Sequence, residues 1–101
     1  MGFLKNVKLV KFPEFDDADR ELFSKTVNNF IKKIGDDCEL QLSLKQYHKG
    51  GFRTQHEVHG RVFVMGRSFF AEETGWQLLG VIQSVLRSLE KEVKKERSMR
   101  G

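Results

Sequence analysis

The residues of this chain that could carry acid–base, nucleophilic or metal chemistry are few. They are one cysteine, Cys38, three histidines, His48, His56 and His59, and the acidic pairs Asp16-Asp17, Asp36-Asp37 and Glu72-Glu73. The cysteine and histidines show no C-x-x-C or H-x-x-x-H spacing of the kind that builds a zinc site. His56 and His59 stand three apart in a segment that reads as a strand, where an odd separation sends side chains to opposite faces. No metal site is expected, and a single cysteine cannot close an internal disulfide. The acidic pairs fall at the ends of predicted helices, where carboxylates cap backbone amides and complement the dipole. There is no G-x-S-x-G, no phosphate-cradling glycine loop and no histidine beside a nucleophile. The expectation is a protein that is not an enzyme, with no catalytic residues and no cofactor.

Cationic chemistry is more abundant, and it is unevenly placed. The formal charge is +4. Residues 1–37 hold seven basic and seven acidic side chains, whereas residues 38–101 hold eleven and seven. Lys45, Lys49, Arg53, Arg61 and Arg67 are opposed only by Glu57, and the tail from Arg87 carries six bases against three acids. Local excess of this kind suits an anionic partner, nucleic acid above all. Arg53, Arg61 and Arg67 form one basic cluster along the chain, and the last helix carries another.

The elements that must position these groups follow from periodicity. Residues 4–12 read as an edge strand with three lysines among Val7, Leu9, Val10 and Phe12, ended by Pro13, which has no amide hydrogen for a ladder. Asp16 and Asp17 offer N-caps for a helix in which Phe23, Val27, Phe30 and Ile34 recur at four, three and four residues, with Leu22 and Ile31 widening the stripe. Gly35 fits a left-handed C-cap. Over 38–45 the period becomes two, as Cys38, Leu40, Leu42 and Leu44 alternate with polar residues. His48-Lys49-Gly50-Gly51 reads as a hairpin into a strand over 52–64, with Gly60 suggesting a bulge. Met65-Gly66-Arg67 turns into a third strand of the meander over 68–72. Thr74-Gly75-Trp76-Gln77 has the form of a capping box, opening a helix with Leu79, Ile82, Leu86, Leu89 and Val93 on one seam and Arg87, Lys91 and Lys94 beside it. Glu90 can pair with Lys94 at i, i+4. Residues from about 96 to 101 are expected to fray.

At 101 residues, 39% hydrophobic and 32% charged, the chain has the size of one domain. It is too interrupted by charge to cross a bilayer and shows no signal-peptide run, so a cytoplasmic protein is expected. The fold class is α+β in the order β-α-β-β-β-α, a four-stranded sheet with two helices packed on one face. His59-Gly60-Arg61-Val62-Phe63-Val64 meets the RNP1 pattern only at Gly60, Phe63 and Val64, and the element order lacks the final strand of an RRM. A double-stranded-RNA-binding domain shares the helix, three strands, helix core but has no leading strand.

This order, together with three stretches of sequence, resembles the N-terminal domain of the ribosome hibernation-promoting factors, also described as ribosome-associated inhibitor or sigma-factor modulation proteins. Phe15-Asp16-Asp17-Ala18-Asp19-Arg20-Glu21, followed by Lys25, Val27 and Phe30, is similar to the family's opening helix. The alternating 38–45 strand and the hairpin to His56-Glu57-Val58 are similar to its central pair. Gly80-Val81-Ile82, Leu86, Leu89-Glu90, Val93 and Lys94-Lys95 resemble its last helix. Gln83, Thr26, Gln77 and Leu79 depart from the family pattern, which commonly has Asp, Lys, an acidic residue and Tyr there. The resemblance covers residues 1–101 as a single domain, without the second domain of long members.

The resemblance implies a protein that docks on the small ribosomal subunit at the decoding region and inhibits translation during dormancy or stress. It implies ribosomal RNA as partner, met by Lys25, Lys32 and Lys33 on the first helix and Arg87, Lys91, Lys94 and Lys95 on the second. Arg53, Arg61 and Arg67 are further RNA-binding candidates. The alternative is a protein-interaction module, including a homodimer, that associates through the sheet face opposite the helices. Phe63, Met65 and either Phe69 or Phe70 would project there.

Overall fold

The computed structural model describes residues 7–35, 37–51 and 53–100. Positions 4–6 of the expected first strand, Asp36 and Phe52 lie outside them. The element order is β1 (Val7–Val10), α1 (Asp17–Ile34), β2 (Glu39–Lys49), β3 (Arg53–Val64), β4 (Arg67–Gly75) and α2 (Leu78–Arg100). The sheet order is β1-β2-β3-β4, with β1 parallel to β2 and the other pairs antiparallel. This is the expected α+β fold.

Helix α1 forms where its sequence places a cap and an apolar stripe. The Asp16 side chain accepts from the Asp19 amide at 2.8 Å, which satisfies one of the helix's orphan donors. Phe23, Val27, Phe30, Ile31 and Ile34 are buried. Each large apolar side chain so removed from water contributes roughly 1.5–3 kcal/mol. Leu22, expected to widen this stripe, is instead exposed. Phe15 stacks on Phe23 at 5.1 Å and fixes the chain's entry into the helix. Gly35 ends α1 by donating to the Ile31 carbonyl at 2.7 Å. Its φ of 132° and ψ of 145° are not the expected left-handed cap but a mirror-extended turn that an L side chain rarely adopts.

The strands put one residue in two against the helices. Cys38, Leu40, Leu42, Leu44, Val58, Val62 and Val64 are buried under Val81, Ile82, Val85, Leu86, Leu89 and Val93 of α2 and the stripe of α1. The register passes through Leu42, Gly60 and Ala71 without an inserted residue, so the bulge expected at Gly60 is absent. A Cβ there would overlap Val85 Cγ1 and lie 3.1 Å from Leu89 Cδ1. The glycine serves the close approach of α2 to the sheet.

Strand β4 and helix α2 depart most from expectation. Thr74 and Gly75 do not cap a helix. They extend β4, Thr74 facing Glu57 and Gly75 facing His56 across the ladder. The first intrahelical bond of α2 runs from the Val81 amide to the Gln77 carbonyl. At its other end, α2 runs to Arg100. There Arg97 bonds to α1, and Glu96 meets Arg67 at 2.9 Å.

Candidate nucleic-acid interface

The two helices lie side by side and run the same way, since Lys33 of α1 reaches Glu90 of α2 and Arg97 reaches the end of α1. Their outward surfaces carry all seven helix cations singled out from the sequence, each of them exposed. A shallow groove of about 310 Å³ runs between them, lined by Thr26, Asn29, Lys33, Gln83, Arg87 and Glu90. Two of the positions that depart from the family pattern, Thr26 and Gln83, therefore line this groove.

Ion pairing divides the seven. Lys25 lies 3.8 Å from Glu21. Lys94 meets Glu90 at 2.7 Å, the i, i+4 pair expected from the sequence, and Lys33 approaches the same carboxylate at 3.7 Å. The hydrogen bond from Lys94 holds the Glu90 carboxyl below the usual glutamate range. Partial burial opposes this, and the Lys33 charge adds to it. Lys32, Arg87, Lys91 and Lys95 make no ion pair among the described residues. Arg87, Lys91 and Lys95 recur every four residues and so form one stripe along α2. Unpaired cations are the ones whose charge is available to a phosphate.

The three meander arginines do not come together. Arg53 and Arg61 both face outward from β3, eight residues apart, which is about 27 Å at the usual strand rise. Arg67 instead pairs with Glu96 of α2. Each outward arginine lies over an aromatic ring. Arg53 is 4.1 Å from the centroid of Trp76, and Arg61 is 5.8 Å from that of Phe70. Phe63 is exposed on this face and Met65 is exposed in the β3–β4 turn. Of the two phenylalanines weighed at the start of β4, Phe70 is the outward one, and Phe69 packs against the core.

The histidines each find a cross-strand or same-face partner. His48 lies 3.3 Å from Thr54, and His56 lies 3.3 Å from Gln46. His59 sits between Glu57, 2.5 Å from its Nε2, and Glu72, 3.1 Å from its Nδ1. The three side chains bring ligand-type atoms within 4.8 Å of one another. Both ring nitrogens face carboxylate oxygens, so the imidazole bridges Glu57 of its own strand and Glu72 of the next. The sequence reading missed this group because Glu72 joins it only through the β3–β4 register. It also missed Trp76, whose place inside an apparent capping box concealed its position beside Arg53.

What the fold defines is a β-α-β-β-β-α domain with a cationic helix layer and a mixed aromatic and cationic sheet face. Comparison with protein-family models finds no match, and comparison with curated proteins finds none. Among solved structures, the N-terminal domain of Protein Y from Thermus thermophilus is similar over 88% of this chain and 93% of that one. The TM-score is 0.59 and the identity 21%. At this identity the likeness establishes a shared fold. No helix among the described residues is long and apolar enough to cross a membrane.

Proposed function

We propose that this protein binds the small ribosomal subunit through ribosomal RNA and inhibits translation during dormancy or stress, without catalysing a reaction. The observation that carries this reading is the set of helix-layer cations that make no ion pair among the described residues, Lys32, Arg87, Lys91 and Lys95. The fold likeness to the Protein Y domain and the sequence resemblance to the hibernation-promoting factors support it. Binding of this kind is dominated by phosphate contacts and selected by shape. Lys25, Lys33 and Lys94 contribute less, because each shares its charge with a carboxylate. The protein acts in the cytoplasm, where ribosomes are.

Co-sedimentation with purified small subunits at low salt tests the proposal. The wild-type chain is expected to pellet with subunits and to slow translation in a purified system. Arg87→Glu combined with Lys91→Glu should abolish both effects. Sedimentation that ignores this double substitution would overturn the reading.

A further inference from the structure

The helix-layer reading leaves the opposite side of the sheet unused, and that side has its own chemistry. Phe70 is 68% exposed, Trp76 46% and Phe63 41%. Arg61 pairs directly across the ladder with Phe70, and Phe63 pairs with Ser68. Phe63 and Phe70 are therefore diagonal neighbours, roughly 7–8 Å apart on one face. Beside Phe63 opens a hollow of about 480 Å³ that is also lined by Lys8, Glu39, Gln41 and Arg61. It joins an aromatic wall to two cations, a carboxylate and a side-chain amide.

We propose that this outer face binds the unpaired bases of a single-stranded nucleic acid. The exposed rings and the guanidinium planes that lie over two of them both offer flat surfaces on which a base can stack, and the guanidinium groups add charge for the backbone. The described cations that face outward are Lys8, Lys45, Arg53 and Arg61. The facing carboxylates are Glu39, Glu57 and Glu72, of which the last two are turned onto His59. Four cations against three carboxylates leave a small positive excess among the described residues, and two of the cations, Arg53 and Arg61, lie at the aromatic stacking positions at the two ends of β3. A second copy of the chain fits this face less well. The centre of a protein interface is depleted of charge, whereas the span between Trp76 and Phe70 is occupied by Glu57, His59 and Glu72. The outer sheet face and the helix layer lie on opposite sides of the molecule, so binding at one does not require the other.

Binding of the full chain to fluorescently labelled oligo-uridine and oligo-thymidine of about a dozen nucleotides, and to an RNA duplex of equal length, tests it. At least one single strand should bind about tenfold or more tighter than the duplex, and the tighter of the two identifies the preferred sugar. Fluorescence of Trp76, the only tryptophan, should be quenched on binding. Phe70→Ala and Trp76→Leu should each weaken binding by about fivefold or more. Both side chains are exposed, so circular dichroism and thermal melting should show the variants folded. Arg87→Glu with Lys91→Glu should leave oligonucleotide binding within about twofold, which separates this inference from the ribosomal one. Equal binding of duplex and single strand, or indifference to both aromatic substitutions, would overturn it. So would a concentration-dependent dimer, abolished by Phe63→Ser, in a chain that binds no single strand.

Discussion

Arg97, three residues before the end of α2, donates to the backbone carbonyl of Ile34, the last residue of α1. Its other terminal nitrogen lies 3.5 Å from the Lys33 carbonyl. These carbonyls belong to the last turn of α1, where they have no intrahelical partner and the dipole favours a cation. One side chain therefore ties together two helix ends that are 63 residues apart in sequence. Arg97→Ala should lower stability by about 1–2 kcal/mol in urea unfolding with an unchanged slope. Arg97→Lys should recover part of the loss.

Gly60 sets the distance between α2 and the sheet. Gly60→Ala should cost about 1–3 kcal/mol, because Val85 is β-branched in a helix and has little rotamer freedom with which to give way. Adding Val85→Ala should return part of that loss. The coupling between the two, measured by a double-mutant cycle, distinguishes a steric contact from a backbone effect of the alanine.

Glu90 links charge to pH. Its carboxyl titrates lower in the folded chain than in the unfolded one. The stabilisation it provides is complete above the ordinary glutamate value of about 4.3, and it is lost as the pH falls through the lower folded value. Glu90→Gln should cost under about 1 kcal/mol at neutral pH, and the gap from wild type should close on acidification. The same substitution releases Lys33 and Lys94, so affinity for small subunits at neutral pH should rise severalfold. A fall in affinity would place Glu90 itself among the contacts.

Salt dependence counts the cations that act. If Lys32, Arg87, Lys91 and Lys95 each neutralise one phosphate, the logarithm of the affinity for small subunits should fall against the logarithm of salt with a slope of about −3 to −4. Lys91→Gln should reduce the slope by about one. Lys25→Gln, which removes a cation already shared with Glu21, should change it by less.

Where local pattern and tertiary structure agree, the sequence was readable. The four-three-four spacing of Phe23, Val27, Phe30 and Ile34 and the alternation from Cys38 to Leu44 predicted buried faces that the fold contains. The Asp16 cap is equally local. Thr74-Gly75-Trp76-Gln77 was misread because a threonine and a glutamine three apart satisfy the capping pattern, while pairing of Thr74 with Glu57 depends on a strand elsewhere in the chain. Gly60 was misread for a similar reason, since its neighbours Val85 and Leu89 come from α2. In the candidate site, the Glu90–Lys94 pair was legible at helical spacing. The Lys33–Glu90 and Arg67–Glu96 pairs were not, because each joins separate elements. Nor could the sequence show that the meander arginines separate, two onto aromatic rings and one onto a helix.

The parallel pairing of β1 has a kinetic meaning. Strands β2, β3 and β4 follow one another through tight turns, so they can zip together at little cost in loop entropy. The four-residue β1 can join only after α1 has formed and brought the chain back alongside β2. Its amides should be the last to gain protection during folding and the first to exchange with deuterium in the native state. The expected opening unit is therefore an outer strand that peels away while the meander and its helices stay closed.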